Sequence, residues 1–290
     1  MKRRFSHYRW VTLISFAVMY NFVYLGRFNV NNNMERFVAD VGMNDVQTYI
    51  LSVSIFLSYA AGSVFNGYLA DRVGAKRIVV CGGLGTILMN VFISMEHVWG
   101  LLLGTWIING FFQSMIWVGG ISMLSHWWEE GSKGQGIGIA NFFSGISHVT
   151  AYLLPIMLLS LWPHIGWRIA MVIPMGALLV FLILFGIFAV EKPADKNLDE
   201  YIIKNPRHEK REEALRKRAK EDKKPWLYFL RLRNFWWWCT IALISSICRY
   251  GLLNWIPVYY KQTSGEEVLS ETFSNLTLPI GMAFGTLVIT

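Results

Sequence analysis

Long apolar runs separated by short polar turns organise this chain. Eight of them are long enough to cross a bilayer: residues 10–31, 47–69, 78–95, 99–125, 136–161, 167–190, 234–259 and 272–290. A spanning helix needs about 20 mostly apolar residues, because nothing in the hydrocarbon satisfies its backbone groups except the helix itself. The pattern predicts an all-α membrane protein with eight helices. The last run reaches Thr290 with no polar flank, so the chain is expected to be part of a longer protein. Met1-Lys2-Arg3-Arg4 looks like the charged start of a signal peptide, but the run after it is too long and offers no small-residue cleavage site. It reads as an uncleaved first helix.

Polar residues within the runs fall on helical stripes. Tyr20, Tyr24, Arg27 and Asn31 share one face of the first run, and Tyr59, Ser63 and Asn66 one face of the second. Asn109, Gln113 and Trp117 line the fourth run; Asn141, Ser144, His148 and Tyr152 line the fifth. Interhelical hydrogen bonding is one reading of such stripes, and a polar cavity is the other. Two arginines sharpen the question. Arg27 lies in the first run and Arg249 in the seventh, each followed by an aromatic residue, Phe28 and Tyr250. A charge at membrane depth costs at least ~2.5 kcal/mol on insertion scales. Matched arginines predict an anion site; the competing reading is that both snorkel to the interface or pair with carbonyls.

Charge then sets orientation. Lys2, Arg3, Arg4 and Arg9 precede the first run, Arg72, Lys76 and Arg77 follow the second, Lys133 follows the fourth, and fourteen more basic residues lie in 191–233. The alternate loops hold only Arg36, Arg168 and Lys261. The rule that cytoplasmic loops carry the basic residues places the N-terminus and the long middle loop in the cytoplasm. The net charge of +8 thus reports topology and contact with anionic lipid heads rather than nucleic acid. The mixed-charge run 209–218 reads as a tether or a membrane-surface helix. These shifts suggest a six-helix bundle over 1–190, a cytoplasmic linker over 191–233 and the start of a second bundle over 234–290. Arg249 opens the second set as Arg27 does the first, the sign of an internal repeat. Cys81, Cys239 and Cys248 have no metal-site spacing and predict no disulfide framework. The clusters Gly82-Gly83-Leu84-Gly85 and Gly134-Gln135-Gly136-Ile137-Gly138 suggest close helix packing.

Residues 67–77 read Gly-Tyr-Leu-Ala-Asp-Arg-Val-Gly-Ala-Lys-Arg, a tight turn with glycines at its bends. The stretch resembles the helix-two to helix-three signature of the major facilitator superfamily. The resemblance implies a twelve-helix bundle, of which about eight helices are here, and a conformational role for Gly67, Asp71, Arg72 and Gly74. A narrower likeness covers nearly the whole chain. Arg249-Tyr250-Gly251-Leu252-Leu253-Asn254-Trp255-Ile256-Pro257, Gly110-Phe111-Phe112-Gln113 and His126-Trp127-Trp128 are similar to stretches of the organophosphate:phosphate antiporters. That group includes glycerol-3-phosphate and hexose-6-phosphate transporters. The likeness implies that Arg27 and Arg249 grip a phosphate, and the polar stripes suggest Tyr24, Gln113, Asn141 and His148 around it. Ser63, Ser144, Val118, Gly119 and Asn254 depart from the pattern and leave the arginine pair intact.

Two guanidiniums match a phosphate dianion in charge and hydrogen-bonding shape. No carboxylate lies inside the runs to neutralise them, which favours obligatory exchange of an organophosphate for inorganic phosphate. A carrier of another organic anion, such as a sugar acid, and a non-transporting sensor on the same scaffold are the alternatives. No nucleophile–base pair or metal cluster points to an enzyme, and no cofactor is expected. The expected partners are a small anionic substrate, inorganic phosphate and membrane lipid, with no nucleic acid. The expected state is a monomer in the plasma membrane, most simply a bacterial inner membrane.

Overall fold

The computed structural model describes residues 2–128, 132–162, 164, 166–198 and 232–264, with isolated positions beyond. Its helices are α1 (Lys2–Asn32), α2 (Met34–Val41), α3 (Asp45–Val73), α4 (Ala75–Met95), α5 (Trp99–Ser125), α6 (Lys133–Leu161), α7 (Trp167–Phe188) and α8 (Arg233–Ser264). A 3₁₀ turn, Pro193–Lys196, follows α7. Six helices, α1 and α3 to α7, are long and apolar enough to cross a membrane. They match the first six runs read from the sequence. The seventh run falls within α8, while most of 272–290 and the charged run 209–218 lie outside the described residues.

The chain divides into two compact units, Met1–Ile202 with Met282–Thr290, and Ile203–Gly281. In the first, α1 is the central helix: it packs along α6 and α7 and also meets α5 and α4, while α3 and α4 flank α5. Leu13, Phe16, Tyr20 and Val23 of α1 join Ile116, Trp127, Leu178 and Phe185 in one core. Val30, Leu51, Ile55, Trp106 and Met171 form a second core at the other end. Glycine permits the tightest crossing. A Cβ on Gly82 would stand 2.6 Å from the Phe112 carbonyl oxygen, so α4 and α5 pack backbone to backbone there. The second glycine cluster behaves differently from expectation. Gly134 faces open space, and it is Gly136 that packs under the Trp128 indole.

Helix α2 has no counterpart in the sequence reading. Eight residues are too short to span a membrane, and search by apolar run length passes over them. The helix buries Phe37 edge-on against Trp167, with ring centroids 4.8 Å apart. Gly42 ends it in a left-handed turn at φ 70°, and Asn44 and Gln47 form a reciprocal capping box that starts α3. Arg168 fastens this end of the bundle. It pairs with Asp40 at 3.3 Å and donates to the carbonyls of Ser94 at 2.8 Å and Glu96 at 3.0 Å.

The opposite end is tied by Glu191, just past α7. Its carboxylate accepts from the amides of Ala75 at 3.1 Å and Lys76 at 3.3 Å, and so caps α4 from a distant segment. Lys76 returns the tie through Nζ to the Ala189 carbonyl at 2.7 Å. Gly74 turns the chain between α3 and α4 at φ 105°. Gly67, expected at a bend, lies inside α3, which continues without a break to Val73. Its backbone groups are satisfied within the helix, so a glycine there need not bend it.

Candidate functional site

Arg27 projects from α1 toward α3 and α5. It meets Tyr59 and Gln113, which lie fourteen residues into their respective helices of 29 and 27 residues, about halfway along each. The guanidinium is therefore held at depth and does not snorkel. Its Nε donates to Gln113 Oε1 at 2.8 Å. Its carbon lies 4.6 Å from the Tyr59 ring centroid and 4.9 Å from that of Tyr24. Nη2 is buried with no hydrogen-bond partner, and no carboxylate among the described residues pairs with Arg27.

Magnitudes show what this leaves unbalanced. A buried unpaired ion costs several kcal/mol. One charged hydrogen bond returns about 1.5–3 kcal/mol, and each cation–π contact about 0.5–2 kcal/mol. The rings and the amide offset much of the cost, but the positive charge stays uncompensated. Such a group favours an anion that brings both charge and acceptors.

Behind Arg27 runs a chain of buried amides. Gln113 Nε2 donates to Asn109 Oδ1 at 3.4 Å, Asn90 Nδ2 donates to the same oxygen at 3.4 Å, and Asn29 Nδ2 donates to Asn90 Oδ1 at 3.1 Å. The relay crosses α5, α4 and α1, and Asn29 reaches α7 through the Met171 carbonyl at 3.3 Å. Gly26 makes room for it, since a Cβ there would stand 2.8 Å from Asn90 Nδ2. Gln113 thus has its oxygen turned to Arg27 and its NH₂ to Asn109, which fixes the direction of the guanidinium.

An aromatic wall completes the site. Tyr20 lies edge-on to Tyr24 at 5.2 Å and tilted against Trp117 at 5.1 Å. Ser144 of α6 donates to the Tyr24 hydroxyl at 2.7 Å. His148 sits 4.8 Å from the Tyr24 ring and 5.1 Å from Phe28, with Nδ1 3.0 Å from the Ser144 carbonyl. Of the residues singled out from sequence, Arg27, Tyr24, Gln113 and His148 come together. Asn141 is half-buried on the same helix as His148. Arg249 lies in α8; its side chain lies outside the described residues.

Other expected polar residues serve packing. Ser63 bonds its own helix at the Tyr59 carbonyl, and Asn66 donates to Ser114 Oγ at 2.7 Å. Trp127 Nε1 donates to the Val190 carbonyl at 2.9 Å, so the His-Trp-Trp stretch anchors the segment after α7. His126 beside it is shifted below the ordinary histidine range by burial and then by Lys192. Asp71 and Arg72 are exposed, with Arg72 over the Tyr68 ring at 4.3 Å. Sequence reasoning missed Asn29, Asn90 and Glu191. The available signals were single amides within apolar runs, and an acid at the edge of a basic segment.

Six spanning helices around a buried polar interior define a polytopic integral membrane protein. The model of the Major Facilitator Superfamily matches residues 16–290, and the chain belongs to that family. A protein named "Probable hexose phosphate transport protein" from Chlamydia muridarum is 23% identical over 99% of this chain and 64% of its own length. The glycerol-3-phosphate transporter of Bacillus subtilis is 23% identical over 79% of this chain and 52% of its own. The chain therefore spans about two-thirds or less of these relatives, which are transporters and not enzymes. A solved bacterial homologue of the human lysosomal transporter Spinster, inward-facing and unoccupied, superposes with a TM-score of 0.55. It is 18% identical and covers 64% of this chain and 44% of its own, a likeness of fold.

Proposed function

We infer that the protein is a secondary active transporter exchanging an organophosphate, a sugar or glycerol phosphate, for inorganic phosphate by alternating access. The observation that carries this is Arg27, a partly buried arginine whose Nη2 is buried and unpartnered, with no carboxylate among the described residues paired to it. Phosphate supplies the missing charge and several acceptors in the geometry a guanidinium fork fits. The named relatives that handle hexose phosphate and glycerol-3-phosphate support the choice of anion.

In this reading Arg249 of the second six-helix half supplies the other guanidinium. Tyr24, Gln113, Asn141 and His148 shape the space around the ester. An empty site keeps a desolvation cost that either phosphate species removes, which couples inward and outward passage and makes exchange obligatory. Residues 67–74 control the packing of the halves. The basic residues place the N-terminus and the 191–233 linker on the cytoplasmic side of a bacterial inner membrane, and the transporter works as a monomer.

Counterflow in proteoliposomes tests this. Vesicles loaded with unlabelled phosphate should accumulate labelled phosphate, and external hexose or glycerol phosphates should compete. Uptake that ignores internal phosphate, or competition by sugar acids alone, refutes the reading.

A further inference from the structure

An apolar groove of about 800 Å³ runs along α4 beside α5 and α7, lined by Lys76, Arg77, Cys81, Leu84, Leu88 and Gly186 among others. It is separate from Arg27, which is not among its lining residues. Leu84 and Leu88 are about half exposed, and in a spanning helix such side chains face lipid. The groove's cations stand at one end only. From Arg77 to Leu88 the helix rises by about 16 Å, half of the roughly 30 Å hydrocarbon core. Its shape is therefore that of one leaflet, with charge at the surface and hydrocarbon below.

The chemistry of the head end narrows the ligand. Arg77 is exposed, and among the described residues it donates to the Val73 carbonyl at 3.5 Å, within its own turn of helix. Lys76 Nζ donates to the Ala189 carbonyl, which leaves two of its hydrogens for another acceptor. The nearby carboxylate, Glu191, is committed to the amides of Ala75 and Lys76. Among the described residues no acid lines the groove to receive a lipid ammonium, whereas two cations line it and can receive a phosphate. We propose that this groove binds an anionic phospholipid, its phosphate on Arg77 and Lys76 and one acyl chain along Leu84 and Leu88. The site is independent of the transported substrate.

Native mass spectrometry of the purified protein titrated with dioleoyl phosphatidylglycerol and dioleoyl phosphatidylcholine tests it. Phosphatidylglycerol binds more tightly, by about fivefold for each basic residue engaged. Arg77→Gln lowers that preference by about fivefold and leaves phosphatidylcholine binding unchanged. Gly186→Leu weakens both lipids, because a Cβ at Gly186 meets open space and the added side chain fills the groove without disturbing the helix. Free inorganic phosphate does not displace the lipid. Equal binding of the two lipids to the wild type, an unchanged preference in Arg77→Gln, or undiminished binding in Gly186→Leu overturns the proposal. Displacement by free phosphate reassigns the end of the groove to a simple anion and overturns it as well.

Discussion

Gln113 accepts the Nε hydrogen of Arg27 at 2.8 Å, and its own NH₂ group is held by Asn109 at 3.4 Å. A neutral amide thus orients a partly buried cation without neutralising it. The guanidinium is aimed while its charge remains available, which is what reversible capture of an anion demands. The same pair separates positioning from neutralisation, because Gln113 has an isosteric acid.

Gln113→Glu should abolish anion binding while the protein stays folded. The new carboxylate would keep the hydrogen bond to Arg27 and supply the missing charge, so phosphate would have to compete with a built-in counter-ion. Thermal unfolding in detergent should be unchanged or raised, and phosphate should no longer shift it. Wild-type phosphate affinity in this variant would show that charge deficit does not drive binding.

Arg27→Lys keeps the charge and loses the planar fork. Loss of one or two charged hydrogen bonds, about 1.5–3 kcal/mol, corresponds to roughly ten- to a hundredfold weaker binding. Arg249→Lys should behave alike if the two halves share the phosphate. Arg72→Lys, at the exposed end of α3, should slow exchange with little change in affinity. Initial rates over a range of phosphate concentrations separate the three.

His148→Gln should alter selectivity among phosphate esters more than affinity for inorganic phosphate, since the ring packs on Tyr24 and Phe28 beside the guanidinium. Competition constants for a panel of esters report this directly. Identical constants for every ester would place His148 in helix packing alone.

Stability should fall with acidification. Burial holds His126 below its ordinary pKa, so the unfolded chain takes up a proton before the folded one does. The folded state is favoured above about pH 6.5, the unperturbed histidine value, and loses that advantage as pH drops toward the lowered folded value. His126→Gln should flatten the melting profile across this window. The scan is read by circular dichroism in micelles.

Glu191→Ala should loosen the α4 end of the bundle. It removes two hydrogen bonds to the first amides of α4, at a cost on the order of 1–3 kcal/mol for charged bonds. Gly74→Ala should also destabilise, by about 1–2 kcal/mol, because φ 105° disfavours a Cβ. Melting temperatures test both. Phosphate affinity should stay near wild type, since neither residue contacts Arg27.

The sequence by itself determined the spanning segments and the family. Apolar run length is a local property, and lipid allows a helix no alternative partner for its backbone, so α1 and α3 to α7 were legible as runs. The stripes on α1, α5 and α6 marked which faces turn inward. They could not separate Gln113, which holds Arg27, from Asn66, which only packs on Ser114, because both are amides at helical spacing. That distinction, like the relay through Asn90 and Asn29 and the distant cap from Glu191, depends on which helices lie side by side. Neighbours are chosen by the packing of whole faces, by contacts such as Gly82 on Phe112, and not by any single run of residues. Helix α2 was hidden for a related reason: eight residues acquire their role only once Phe37 has Trp167 to rest against.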